Sequence, residues 1–211
     1  MPWINQSASI PIDRKEFVSI IEDFVFNCPS SVMHQIKDKE SKDKQKKKYE
    51  YRQVSARRAS FRQRGISGSL LTTILSQIRK PLQKNNAYYV MNTNESVTEQ
   101  ANMIVRSASL ADPYFDFMVF HKRSDMSETE SVYYYIRNAF AHGSFEVIDT
   151  QNEEQIYKLQ SKKEDTVKAQ MRLKESTLKK IACLSRYTPQ QIKSMQKKHI
   201  TTKRQKEKNS A

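Results

Sequence analysis

Glycine is nearly missing from this chain: three occur in 211 residues, Gly65, Gly68 and Gly143. No GxGxxG or GxxxxGK string is present, so the glycine-rich loops that cradle phosphates are all but excluded. Cysteine is equally scarce. Cys28 and Cys183 lie far apart, each in or beside an apolar run, with no CxxC pair and no metal-ligand spacing. Two buried thiols in a reducing compartment are expected, with no metal and no other cofactor. There is no N-terminal signal-peptide pattern and no apolar run of the roughly 18 residues that a membrane helix needs. The expectation is a soluble, cytoplasmic protein with no membrane partner.

What the chain has is positive charge, and the charge is unevenly placed. The formal net charge is +14. From Ile36 to Arg64 twelve basic residues face four acidic ones, and from Gln191 to Ala211 seven face one. These two segments hold the whole excess. A neutral body with two basic segments points to an anionic partner, with nucleic acid first. In the first segment Lys46, Lys47, Lys48, Arg57, Arg58, Arg62 and Arg64 are the candidate RNA-binding residues. The competing reading is that each run only solvates a loop or tail.

Few glycines and abundant Lys, Gln, Glu and Ser favour a mostly helical fold. Asp13 and Glu16 have capping-box spacing, and Phe17, Ile20, Ile21 and Phe24 follow at helical intervals until Pro29. Residues 37–64 read as a long mobile loop or partly helical arm, with Tyr49, Tyr51 and Phe61 as base-stacking groups or as anchors to the core. A helix is predicted from Ser69 to about Lys80, stopped by Pro81. Another starts at Asn94, with Val97, Ala101, Ile104, Val105 and Ala108 on one face. The run from Pro113 to Arg123 fits helix or buried strand, and helix is the assignment preferred. Ser127 and Glu130 form a second capping box, before Val132, Ile136, Ala139 and Phe140. Gly143 suits the position just past that helix's end. The period then changes to two, and a three-stranded antiparallel meander is expected over 144–173. A helix from ESTLKK and a basic helix opened by Thr188 and Pro189 complete the chain, with a frayed KRQKEKNSA tail. The division expected is one domain over 1–190, including the arm and the meander, and a basic helix or tail over 191–211.

The residues with chemistry cluster in RNAFAHG, 137–143, at the end of the capped helix. Asn138 and His142 share a face, being four apart. Arg137 is about 140° around from His142 and about 7.5 Å along the axis. One helix therefore presents Arg137 and His142 poorly to one small group, while two helices across a twofold axis could pool them in one cleft. RNA carries its own nucleophile, the 2′-hydroxyl. Histidine can act as acid or base near neutrality, and arginine offers a permanent, two-pronged charge to phosphate oxygens. Asn138 can orient either. The ordinary alternative is structural: Arg137 paired with Glu130, Glu146 or another acid, and His142 favoured at a helix C-terminus.

The string Arg137-Asn138-Ala-Phe-Ala-His142-Gly, with its flanking YIRNAFAHGSFEV and the downstream LKESTL, resembles the HEPN family of helical nucleotide-binding domains, in particular a bacterial and plasmid-borne branch. The family's signature is an arginine, four to six residues, then a histidine, often with a polar residue after the arginine. The resemblance spans residues 128–185 most closely. It implies a helical bundle, a homodimer with both motifs in a shared cleft, and metal-independent endoribonuclease activity that leaves 2′,3′-cyclic phosphates. It also implies a toxin–antitoxin or phage-defence setting, with an antitoxin or defence-system partner. Carried over, Arg137, Asn138 and His142 are the catalytic residues. Some family toxins have a tyrosine two residues after the histidine, where the antitoxin modifies them. Ser144 stands there in this chain. A non-catalytic RNA-binding or protein-interaction module is the alternative. A DNA-associated role lacks any helix-turn-helix or zinc motif.

Overall fold

The computed structural model describes residues 4, 14–29, 60–83, 86–107, 114–150 and 154–208, with the backbone alone from 199 onward. Helix α1 (Lys15–Ile21) passes directly into a π-helical turn (Glu22–Phe26). Then follow α2 (Ser69–Gln83), β1 (Tyr88–Met91), α3 (Val97–Ser107), β2 (Phe117–His121) and α4 (Glu128–Ala141). Strands β3 (Phe145–Ile148), β4 (Ile156–Lys163) and β5 (Thr166–Lys174) precede α5 (Glu175–Arg186) and α6 (Pro189–Lys208).

The expected mostly α, HEPN-like bundle is corrected: the fold is α/β. Among the described residues five strands join in one mixed sheet of order β1-β2-β5-β4-β3. The meander β3-β4-β5 is antiparallel as the alternating sequence predicts, but it is only part of the sheet. β2 pairs antiparallel with β5, and β1 adds to it in parallel through the crossover helix α3. Both added strands escaped the period-two reading. β2, expected as helix, is buried at all five positions, so its sequence FMVFH shows no alternation. β1 is only four residues long, and its sequence YYVM does not alternate.

Packing explains the other departures. α2 continues through Pro81 to Gln83, its last turn held by the buried Leu82. α3 begins at Val97 and buries Val97, Ala101 and Ile104, but leaves Val105 36% exposed. Cys28 is buried, whereas Cys183 is exposed, contrary to the expectation of two buried thiols. α6 remains helical to Lys208, through most of the tail expected to fray. Phe61 is fully buried, its ring 5.2 Å from that of Tyr133, so it anchors to the core. Asp13, Tyr49, Tyr51 and Ala108 lie outside the described residues.

Much of the core lies between the sheet and α4, and buried side chains of α1, α2, α3, α5 and α6 join the same cluster. Ala169, Met171 and Leu173 of β5 share one sheet face with their β4 neighbours Tyr157 and Leu159. α4 rests on that face: Phe140 meets Tyr157 and Tyr135 meets Phe120, with ring centroids 6.1 Å apart in each case. The π turn reaches α4 as well, with Phe24 5.9 Å from Phe140 and 6.3 Å from Tyr133. Among the described residues no helix is long and apolar enough to cross a membrane.

Candidate functional site

α4 is fixed at both ends and along its length. At its start the Ser127 hydroxyl oxygen accepts from the Glu130 N–H at 3.2 Å, and Glu130 accepts from the Ser127 N–H at 2.9 Å, which completes the predicted capping box. Three side chains then fasten the helix to its neighbours. Thr129 donates to the Leu71 carbonyl at 2.8 Å, Tyr133 to Ile181 at 2.6 Å, and Tyr135 to His121 at 2.8 Å. At the far end the Ser144 N–H bonds the Ala139 carbonyl at 2.8 Å and the Gly143 N–H bonds Phe140 at 3.2 Å. This is a Schellman ending, with Gly143 at φ +64° in the left-handed region that the turn requires. The Ser144 carbonyl then accepts from Gln160 of β4 at 2.9 Å, so the helix end is tied to the sheet.

The side of α4 turned away from the core carries the motif. Val132, Tyr133, Ile136, Ala139 and Phe140 are buried, whereas Tyr134, Arg137 and Asn138 are half-buried and Ala141 and His142 are exposed. At about 100° per residue the latter five span an arc of about 140°. The structure thus brings Arg137, Asn138 and His142 to one open flank of one rigid helix, with Arg137 and His142 at its two edges.

The two acids named from the sequence as partners for Arg137 are engaged elsewhere. Glu130 closes the capping box, and Glu146 holds Lys158 across β3 and β4 at 3.3 Å. Among the described residues the side chains of Arg137, Asn138 and His142 have no hydrogen bond or ion pair. His142 is the C-cap residue of α4, its backbone N–H bonded to Asn138 at 3.0 Å and its ring outside the core. Arg137 also makes itself felt at Cys28, just beyond the π turn. Burial pushes that thiol up to about 12, the Arg137 charge works against the shift, and Asp23 adds to it. Among the described residues no three His, Cys, Asp or Glu side chains converge as a metal ligand set.

The basic-arm candidates fare differently. Lys46, Lys47, Lys48, Arg57 and Arg58 lie outside the described residues. Arg62 is exposed. Arg64 is half-buried and serves the fold: its guanidinium donates to the carbonyls of Ser185 and, at 2.9 Å, of Tyr187, where α5 ends. Burial lowers its pKa from the ordinary arginine value.

Two residues on the open flank were not anticipated. Tyr134 lies on the arc between Arg137 and His142, and the Arg123 guanidinium rests over its ring with Cζ 4.3 Å from the centroid. Tyr134 was legible in principle, since it precedes Asn138 by one helical turn. Arg123 sits in the loop after β2, where no periodicity could place it.

The chain matches none of the protein families, curated proteins or solved structures with which it was compared.

Proposed function

We propose that the chain is a metal-independent endoribonuclease whose active form is a homodimer, with the open flanks of two α4 helices facing one cleft. The observation that carries this reading is the state of the motif side chains. A guanidinium, a carboxamide and an imidazole, all without partners among the described residues, stand together on a helix pinned at both ends. An arginine kept for structure normally has a carboxylate or carbonyl to hold, as Arg64 has. The likeness to HEPN proteins now rests on the motif and its place at a helix end, not on the fold.

The chemistry follows from the groups. One His142 takes the proton of the RNA 2′-hydroxyl, whose oxygen attacks phosphorus. The bond from phosphorus to the 5′-oxygen breaks, and the partner copy's imidazolium protonates that oxygen. The products are a 2′,3′-cyclic phosphate and a 5′-hydroxyl. Arg137 neutralises the phosphorane oxygens with a forked pair of N–H donors, and Asn138 orients the phosphate or the imidazole. Two copies supply one base and one acid, which a single His142 cannot be at once. A cytoplasmic role in a toxin or phage-defence setting, under an antitoxin or defence-system partner, accords with this activity.

The test is incubation of wild type and His142→Ala with total RNA and a set of tRNAs in EDTA, with product ends analysed. Cyclic phosphate ends from wild type alone are expected. Full cleavage by the variant, or strict dependence on magnesium, overturns the proposal. Salt-sensitive binding without scission would instead identify an RNA-binding module.

A further inference from the structure

Tyr134 precedes Arg137 by three residues and Asn138 by four, about 4.5 and 6 Å along the helix axis. It is therefore next to the motif on the same flank. Arg123 covers one face of its ring. Asp125 holds the guanidinium in its own plane, accepting from Nε at 2.9 Å and from Nη2 at 2.7 Å. The ring beneath it and the forked carboxylate beside it hold the guanidinium in place.

This arrangement does more than position the loop. The Arg123 backbone N–H already bonds the Ser131 hydroxyl oxygen at 3.2 Å, which ties the loop to α4 without the side chain. Nor is it suited to a phosphate. Asp125 neutralises the guanidinium, and an anion would meet a carboxylate that is 56% exposed beside it. What the pair offers outward is a flat, delocalised surface, with the Arg123 side chain 32% exposed. Guanidinium planes and aromatic rings stack nucleobases irrespective of sequence.

From this we infer that Arg123, backed by Tyr134, is the stacking surface for a nucleobase adjoining the scissile phosphate. The inference rests on the ribonuclease reading above. It assigns Arg123 to substrate positioning, while Arg137 and His142 touch the reacting phosphate.

The test uses full-length protein and single-stranded 2′-O-methyl oligoribonucleotides, which lack the attacking hydroxyl and remain intact. 2-Aminopurine, whose fluorescence is quenched by stacking, replaces one base at a time. Wild type is expected to quench the probe at a particular position. Arg123→Ala should lose that quenching and bind about tenfold more weakly. Arg123→Lys, which keeps the charge and discards the plane, should behave like the alanine variant and not like wild type. Arg137→Ala should bind more weakly yet still quench at saturation. If wild type binds and the Arg123 variants bind and quench as it does, the stacking assignment is wrong while the ribonuclease reading stands. If wild type does not bind the oligonucleotides, both fall.

Discussion

The guanidinium of Arg137 in α4 acts on the thiol of Cys28, the residue that follows Asn27 at the end of the π turn. The two effects on that thiol oppose each other, and burial wins. Cys28 is 4% exposed, and its pKa is pushed up to about 12 in spite of the nearby cation.

A simple labelling experiment checks this relationship. Only the thiolate is nucleophilic, so a thiol with a pKa of about 12 stays inert near neutral pH. At pH 8 native protein should take up iodoacetamide quickly at the exposed Cys183 and not at Cys28, and both should react in denaturant. Arg137→Ala removes the influence that lowers the Cys28 pKa, so Cys28 should remain protected. Rapid native labelling of Cys28 would show that the π turn does not seal against α4 in solution.

The motif predicts a separation of activity from stability. His142 is exposed and without side-chain partners among the described residues, so His142→Ala should leave the unfolding free energy within about 0.5 kcal/mol of wild type. Loss of acid–base assistance should lower the cleavage rate by roughly 100- to 10,000-fold. Urea denaturation beside a single-turnover cleavage assay measures both. A large loss of stability in this variant would return His142 to a structural role.

How much of this was readable beforehand depended on which physical signal each element carries. α4 was legible almost to the residue, because Ser127, Glu130 and Gly143 mark its ends chemically and its apolar stripe marks its face. The meander was legible because β4 and β5, of eight and nine residues, are long enough to alternate, and the alternating FEVI of β3 leads into them. β2 was not, because a strand covered on both faces reads as an apolar run that serves a helix equally well. That one ambiguity decided the fold class, since β2 joins the meander to β1 and makes the sheet mixed. The motif residues were visible from their types and spacing. Their lack of partners among the described residues was not, because side-chain pairings such as Glu146 with Lys158 across two strands are set by the tertiary fold.

Arg62 and Arg64 were grouped together from the sequence, and the structure predicts that they part. Arg64 bonds two carbonyls at the end of α5, and hydrogen bonds to a charged group contribute about 1.5 to 3 kcal/mol each, less where solvent reaches them. Arg64→Ala should lower stability by about 2 kcal/mol. It should leave the salt dependence of RNA binding unchanged. Arg62, exposed, should show the reverse, with stability unaltered and a shallower salt slope when it is replaced by alanine. Thermal unfolding and binding titrations at several salt concentrations separate the two.

Asp116 makes stability depend on pH in an unusual direction for a carboxylate. Its oxygens accept from the Lys174 N–H at 2.5 Å and the Thr177 hydroxyl at 2.5 Å, which ties it to the start of α5. Burial outweighs these bonds and raises its pKa above the ordinary value of 3.8. With the folded pKa the higher of the two, the native state binds the proton more tightly than the unfolded chain. The contribution of Asp116 is therefore full below about pH 3.8 and declines as pH rises through its folded pKa. Urea midpoints measured upward from pH 4 should show this falling component in wild type and not in Asp116→Asn. Equal slopes in the two proteins would place Asp116 in solvent.

Gly143 closes the end of α4 in the position next to His142. Its φ of +64° is one that side chains with a Cβ rarely adopt, yet a Cβ placed there would meet nothing within 4 Å. Any penalty is thus conformational and not steric crowding by neighbours. Gly143→Ala should cost about 1 to 2 kcal/mol in a left-handed position, and Gly143→Asn less, because asparagine tolerates that region better. If the Schellman turn also aims His142, the alanine variant should lose more cleavage than its stability loss explains at temperatures where it is fully folded, and asparagine should restore part of both. Alanine and asparagine variants of equal stability would show that the turn is not left-handed in solution. Full activity in the alanine variant would show that His142 keeps its direction without the turn.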